Sequence, residues 1–256
     1  MASTLAAATA TGVLHVLLAA LIFAPAMWLT ARARGQRTLD PGGVRLLGVA
    51  GLIYLVSIIV LHLPRIGVFA HLMWNWQNKL LLFALLLLLV SLWPQLWDRA
   101  GFTRPAPHWW FPVLSITLGA LGVQLVAGPV AHIPVTTETF LFQAIVPGLD
   151  EELLFRGVLF GLIVAALPQR DNRWGPGPVW AVAITTVLFG LAHGIQMDPS
   201  FTLTVEPRAI LYTAVTGAVL GWIRVHTGSL WPAILVHNGI NTSLVVAAAL
   251  TSVSLA

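Results

Sequence analysis

Of the nine acidic residues in this chain, two stand side by side in "LDEELLFRGVLFG" and are followed by an arginine: Glu151, Glu152 and Arg156. On a helix, Glu152 and Arg156 are spaced i, i+4 with the acid N-terminal, the favourable order for an ion pair on one face. Glu151 points about 100° away and is left spare. A carboxylate without a counter-ion in low-dielectric surroundings suits a general base. Two later stretches carry further groups. "VLFGLAHG" places His193 four residues after Phe189, and "PAILVHNGIN" sets His237 and Asn241 at i, i+4, an imidazole beside a carboxamide. Such a pair suits an oxyanion, and equally suits interhelical hydrogen bonding. A carboxylate base, a histidine able to hold water and a His/Asn donor pair are together the parts for peptide hydrolysis by an activated water. Cysteine is absent, and no serine or threonine has an obvious base beside it, which disfavours a covalent nucleophile.

The elements that must position these groups are membrane helices. The 256 residues are 58% hydrophobic and 9% charged, against about 25% charged in an ordinary soluble domain. This composition defines an integral membrane protein. Apolar runs fall at about 10 to 30, 46 to 63, 79 to 97, 111 to 130, 138 to 167, 178 to 195, 208 to 225 and 230 to 251. The expected fold is therefore an all-α, polytopic bundle of about eight transmembrane helices, read as one domain over 1–256. Residues 1–130 form generic N-terminal helices, and 138–251 hold the chemistry.

The N-terminal run lacks the basic start of a signal peptide and reads as a retained first helix. The third run, "KLLLFALLLLLVSLW", is apolar all round, as expected of a lipid-facing helix without chemistry. The fifth is long and contains Pro147-Gly148, which predicts a lead-in followed by a true helix from near Leu149. Two GxxxG pairs, Gly157/Gly161 and Gly217/Gly221, predict close helix approaches.

The net charge of +4 comes from arginines in loops. In a membrane protein that reports topology and anionic headgroups rather than nucleic acid. Arginines 32, 34, 37 and 45, then 99 and 104, then 170 and 173, with Arg224, mark the odd loops as cytoplasmic; the even loops hold Arg65, Lys79 and Arg208. Both termini then lie outside. His15, His62, His71, His108, His132 and His226 read as structural or interfacial.

Glu151-Glu152-x-x-x-Arg156, Phe189-x-x-x-His193 and His237-x-x-x-Asn241, in this order on successive membrane segments, resemble the CPBP intramembrane proteases. That family includes the type II CaaX prenyl endopeptidases and bacterial proteins linked to bacteriocin processing or self-immunity. The resemblance covers about residues 140 to 245, with "LLFRG" and "TGSLWPAILVHN" as further similar surroundings. It implies a multi-pass protein of the cell membrane with a conical intramembrane cavity, acting on a peptide or membrane-protein substrate, which lipid modification would suit. It further implies that Glu151 activates water, His193 positions it, His237 and Asn241 stabilise the oxyanion, and Glu152 and Arg156 support them.

The chemistry is open between a metal-free reaction and a Zn²⁺ site formed by Glu151, His193 and His237. There is no HExxH, and a ligating Glu151 would leave the base to be found elsewhere, so the preferred expectation is no cofactor. Two further functions fit the same residues. One is a non-catalytic immunity or peptide-binding protein of the same fold. The other is a proton-coupled transporter using Glu151 and His193, against which stands the lack of an inverted hydropathy repeat.

Overall fold

The computed structural model describes residues 1–33, 39–128, 133–167 and 173–253. Arg34, Arg37, His132 and Arg170 lie outside the described residues. The eight apolar runs become eight helical segments. These are α1 (Ala2–Ala33), α2 (Pro41–Leu61), α3 (Trp76–Leu92) with the short α4 (Pro94–Ala100), α5 (Trp110–Ala127), a compound rod of α6 (Thr137–Glu152), a π-helical turn (Leu153–Leu159) and α7 (Phe160–Ala166), then α8 (Pro176–Gly194), α9 (Pro207–Thr227) and α10 (Trp231–Val253). Six of the helices are long and apolar enough to cross a membrane, and α3 is a shorter apolar helix. The chain is a multi-pass integral membrane protein. One element outside the all-α expectation is a small hairpin, β1 (Ile195–Met197) antiparallel to β2 (Leu203–Val205), between α8 and α9.

The compound rod is the axis of the bundle. Thr136 caps α6 by accepting from the Thr139 amide at 3.1 Å, and Glu138 in the first turn complements the helix dipole. The fifth run does not begin its helix near Leu149. The helix runs from Thr137 straight through Pro147, because neighbouring groups repair what the proline breaks. Asn238 on α10 accepts from Gly148 N at 2.8 Å and donates to Ile145 O at 3.2 Å, clamping the backbone on both sides of Pro147. The irregularity lies instead in the following π turn, which widens the helix just after Glu152. The carbonyl of Arg156 in that turn accepts from Arg224 Nε at 3.1 Å, and Arg224 Nη2 donates to Arg99 O at 2.8 Å. Arg224 is thus buried inside the bundle and does not report topology from a loop.

Glycines let the helices meet. A Cβ on Gly148 would sit 2.5 Å from Asn238 Oδ1 and 2.7 Å from Ile234 O, so α6 and α10 are in backbone contact there. Gly217 and Gly221 bring α9 against Phe189 and Val182 of α8, while Gly161 admits Arg99 of α4. We expect Gly148→Ala to lower stability by about 1–3 kcal/mol through overpacking. Gly119→Ala, where nothing lies within 4 Å of the added carbon, should be neutral. Thermal unfolding of the two variants in detergent makes the comparison.

The third run is not merely lipid-facing. Asn78, Leu82, Leu86 and Val90 form a buried stripe at every fourth position of α3, whereas Leu81, Leu85, Leu88 and Leu92 are exposed on its other side. The first turn of α3 is tied to the end of α2. Asn75 donates to Leu61 O at 2.9 Å, and Asn78 donates to Leu61 O at 3.2 Å and Leu63 O at 2.7 Å. His15 is fully buried, hydrogen-bonded to Tyr54 Oη at 2.8 Å and Ile195 O at 3.0 Å. It pins the hairpin to α1 and α2, a structural role. Asp198 closes the hairpin turn by accepting from Ser200 and Thr202, which holds its carboxyl below the usual range.

Candidate active site

The acidic pair sits where α6 gives way to the π turn, facing the C-terminal end of α8 and the second turn of α10. Glu152 and Arg156 are fully buried, with Oε1 of the acid 2.9 Å from Nη1 of the base. Arg156 spends Nη2 on Gly217 O at 2.8 Å and lays its guanidinium over the Phe189 ring, 4.6 Å from the centroid. The same Glu152 oxygen meets His237 Nδ1 at 2.8 Å. A carboxylate is an acceptor only, so this contact places a proton on Nδ1 and leaves Nε2 of the neutral ring as its lone-pair nitrogen.

His193 is set in the same sense. Its Nδ1 lies 2.8 Å from Phe189 O, a contact in which the ring must donate, and its Nε2 again points inward. Both Nε2 atoms face one oxygen. Glu151 Oε2 is 3.7 Å from His193 Nε2 and 3.8 Å from His237 Nε2. These separations are too long for direct hydrogen bonds, so Oε2 faces both imidazoles without being bonded to either. Oε2 has no hydrogen-bond partner among the described protein groups.

Glu151 is not the free carboxylate that the helical spacing implies. Its Oε1 is 2.6 Å from Nζ of Lys79, which also contacts Asp150 at 3.0 and 3.1 Å. Lys79, read from the sequence as part of an even loop, has Asp150 as its second partner. Both belong to the site, and Asp150 is fully buried. One cue was available: Lys79 is the only lysine beside twelve arginines. Its meeting with residues 150 and 151 depends on how α3 packs on α6, which the local pattern does not encode.

These groups open onto a cavity of about 320 Å³ between α3, α6, α8, α9 and α10. Asn241 lines it one turn beyond His237, on the same face of α10. Its remaining walls are mostly apolar and aromatic, among them Trp74, Phe142, Tyr212, Ile240 and Leu244. Trp74 stacks on Phe142 at 5.1 Å between ring centroids and donates to Thr139 Oγ1 at 3.0 Å, so the loop before α3 is fixed over the cavity. A larger groove of about 470 Å³ between α1, α2, α7 and α8 is lined, among the described residues, by apolar side chains.

The donors converging here, two imidazole nitrogens and a carboxylate oxygen, would suit zinc in kind. Among the described residues, however, no group of three or more imidazoles and carboxylates has the arrangement of a metal centre. A ligand role for Glu151 would leave no unengaged carboxylate among the three, since Asp150 is held by Lys79 and Glu152 by Arg156 and His237.

A polytopic helical bundle gathers carboxylates, imidazoles and a carboxamide around one cavity, the groups that a membrane-embedded hydrolytic centre would use. Residues 134–243, from just before α6 into the middle of α10, match the family model described as type II CAAX prenyl endopeptidase Rce1-like, which supports assigning this part of the chain to the CPBP family. The family is one of intramembrane proteases. Searches of curated proteins and of solved structures returned no match.

Proposed function

We propose that this chain is an intramembrane endopeptidase in which Glu151 activates a water for attack on a substrate peptide bond, without a metal. The observation that carries the reading is the convergence of Glu151 Oε2 with two Nε2 atoms at 3.7 and 3.8 Å, each imidazole being anchored through its other nitrogen. A water there donates one proton toward Oε2 and is oriented by an imidazole lone pair. As its oxygen attacks the carbonyl carbon, the proton passes to Glu151. The π electrons of the carbonyl move to its oxygen, and that oxyanion is stabilised by the Asn241 carboxamide.

His237 sits one turn before Asn241 on the same face of α10, its ring held through Nδ1 by Glu152 with Nε2 turned toward Glu151. Collapse of the tetrahedral intermediate breaks the C–N bond, and the proton held by Glu151 goes to the leaving amine. The substrate class that fits is a peptide with an apolar, lipid-modified end, since the cavity walls are largely apolar. A farnesylated CAAX peptide is the probe of choice.

In proteoliposomes, Asn241→Ala is expected to lower kcat by roughly 10²-fold, the usual loss for one oxyanion donor. Cleavage by the wild-type protein should persist after treatment with 1,10-phenanthroline. Loss of activity on chelation with recovery on adding Zn²⁺ would overturn the metal-free mechanism.

A further inference from the structure

The bundle holds a lysine that neither the sequence motifs nor the hydrolytic chemistry above employs. Nζ of Lys79 has three protons, and three carboxylate oxygens surround it: Glu151 Oε1 at 2.6 Å and the two oxygens of Asp150 at 3.0 and 3.1 Å. All its donors are spent, so it has none to offer a substrate. We propose that Lys79 is a positioning residue: clamped by Asp150, its ammonium holds Oε1 of Glu151 so that Oε2 alone is presented to His193 and His237. This rests on Glu151 being the base.

Three observations carry it. Glu151 has two chemically equivalent oxygens, yet they are used differently, Oε1 for the ammonium and Oε2 for the imidazoles. Asp150 is fully buried and makes no other hydrogen bond through its carboxylate among the described residues, so it acts on Lys79 alone. The stem of Lys79 leaves the first turn of α3, which Asn75 and Asn78 tie to the end of α2, so the ammonium is delivered from a fixed base. The charges agree. Asp150, Glu151 and Glu152 against Lys79 and Arg156 leave one negative charge when the imidazoles are neutral, the charge of one working carboxylate. A lysine serving only as the counter-ion of Asp150 would have no reason to make its shortest contact to Glu151.

The test separates the two roles by removing both members of the buried pair. Lys79→Met/Asp150→Asn leaves no unpaired buried charge from the pair, and its folding is checked by thermal unfolding in detergent. With the farnesylated CAAX peptide in proteoliposomes, kcat is expected to fall about 30-fold or more while KM changes less than about threefold, because substrate contacts stay intact. Lys79→Arg, which keeps a cation on the same stem, should retain at least a tenth of wild-type kcat.

A double variant with kcat within threefold of wild type, when Glu151→Gln is inactive, overturns the positioning role and leaves Glu151 as base. An active Glu151→Gln overturns the base itself, whatever Lys79 does. Should the double variant fail to fold, Asp150→Asn alone decides. It is nearly isosteric and removes the charge that clamps Lys79; a loss of kcat at constant KM supports the clamp, and unchanged kcat overturns it.

Discussion

Glu151→Gln is expected to give a folded protein that cleaves peptide roughly 10²–10⁴ times more slowly, the usual worth of a positioned general base. The substitution keeps the shape of the side chain and an oxygen for Lys79, but removes the only carboxylate oxygen that faces both imidazoles. The neighbouring acids cannot take over. Asp150 is bound on both oxygens by Lys79, and Glu152 is held by Arg156 and His237. The loss should fall on kcat, since Glu151 acts on the water in the transition state and not on the binding of the substrate chain. Rates measured over a range of peptide concentration, with unfolding temperature as the control, check this.

The largest effect on stability is expected from Arg156→Met. Arg156 has no accessible surface, and its removal leaves Glu152, equally buried, without its counter-ion and takes a second donor from the carbonyl of Gly217. Breaking a buried pair by deleting one partner costs about 3–5 kcal/mol. That is a large part of the 5–15 kcal/mol by which domains are typically stable. Lysine is a poor replacement, because two separate donors of the guanidinium fork are in use and a third feature, its flat face, lies on Phe189. Arg156→Met should therefore express poorly or unfold many degrees below wild type. Arg208→Met, on the exposed start of α9, should unfold with wild type. Comparable unfolding temperatures for the two variants would show that the buried pair contributes little.

Much of this architecture is legible in the residues because membrane helices announce themselves by length and polarity. The eight apolar runs correspond to the eight helical segments, and i, i+4 spacing is enough to bring Glu152 to Arg156. What could not be read locally depends on packing between segments far apart in the chain. Lys79 and Asp150 meet across 71 positions, and Asn238 reaches back 90 positions to repair the backbone beside Pro147. For that reason Pro147 did not mark the helix start, although proline in isolation predicts one. The π turn was hidden for a related reason. It depends on Arg224 satisfying the Arg156 carbonyl, a contact supplied by another helix. Charges in apolar runs carried a double meaning as well. Lys79 and Arg224, counted as markers of sidedness, are parts of the interior.

The most direct measurement is single-turnover cleavage of a farnesylated CAAX peptide in H₂¹⁸O by the purified protein in proteoliposomes, treated with 1,10-phenanthroline, with the products weighed by mass spectrometry. Direct attack by a water activated at Glu151 predicts that the new carboxylate carries one ¹⁸O, and that Glu151→Gln yields no product on the same timescale. Product formed equally well by Glu151→Gln, or a new carboxylate without ¹⁸O in a single turnover, would contradict it.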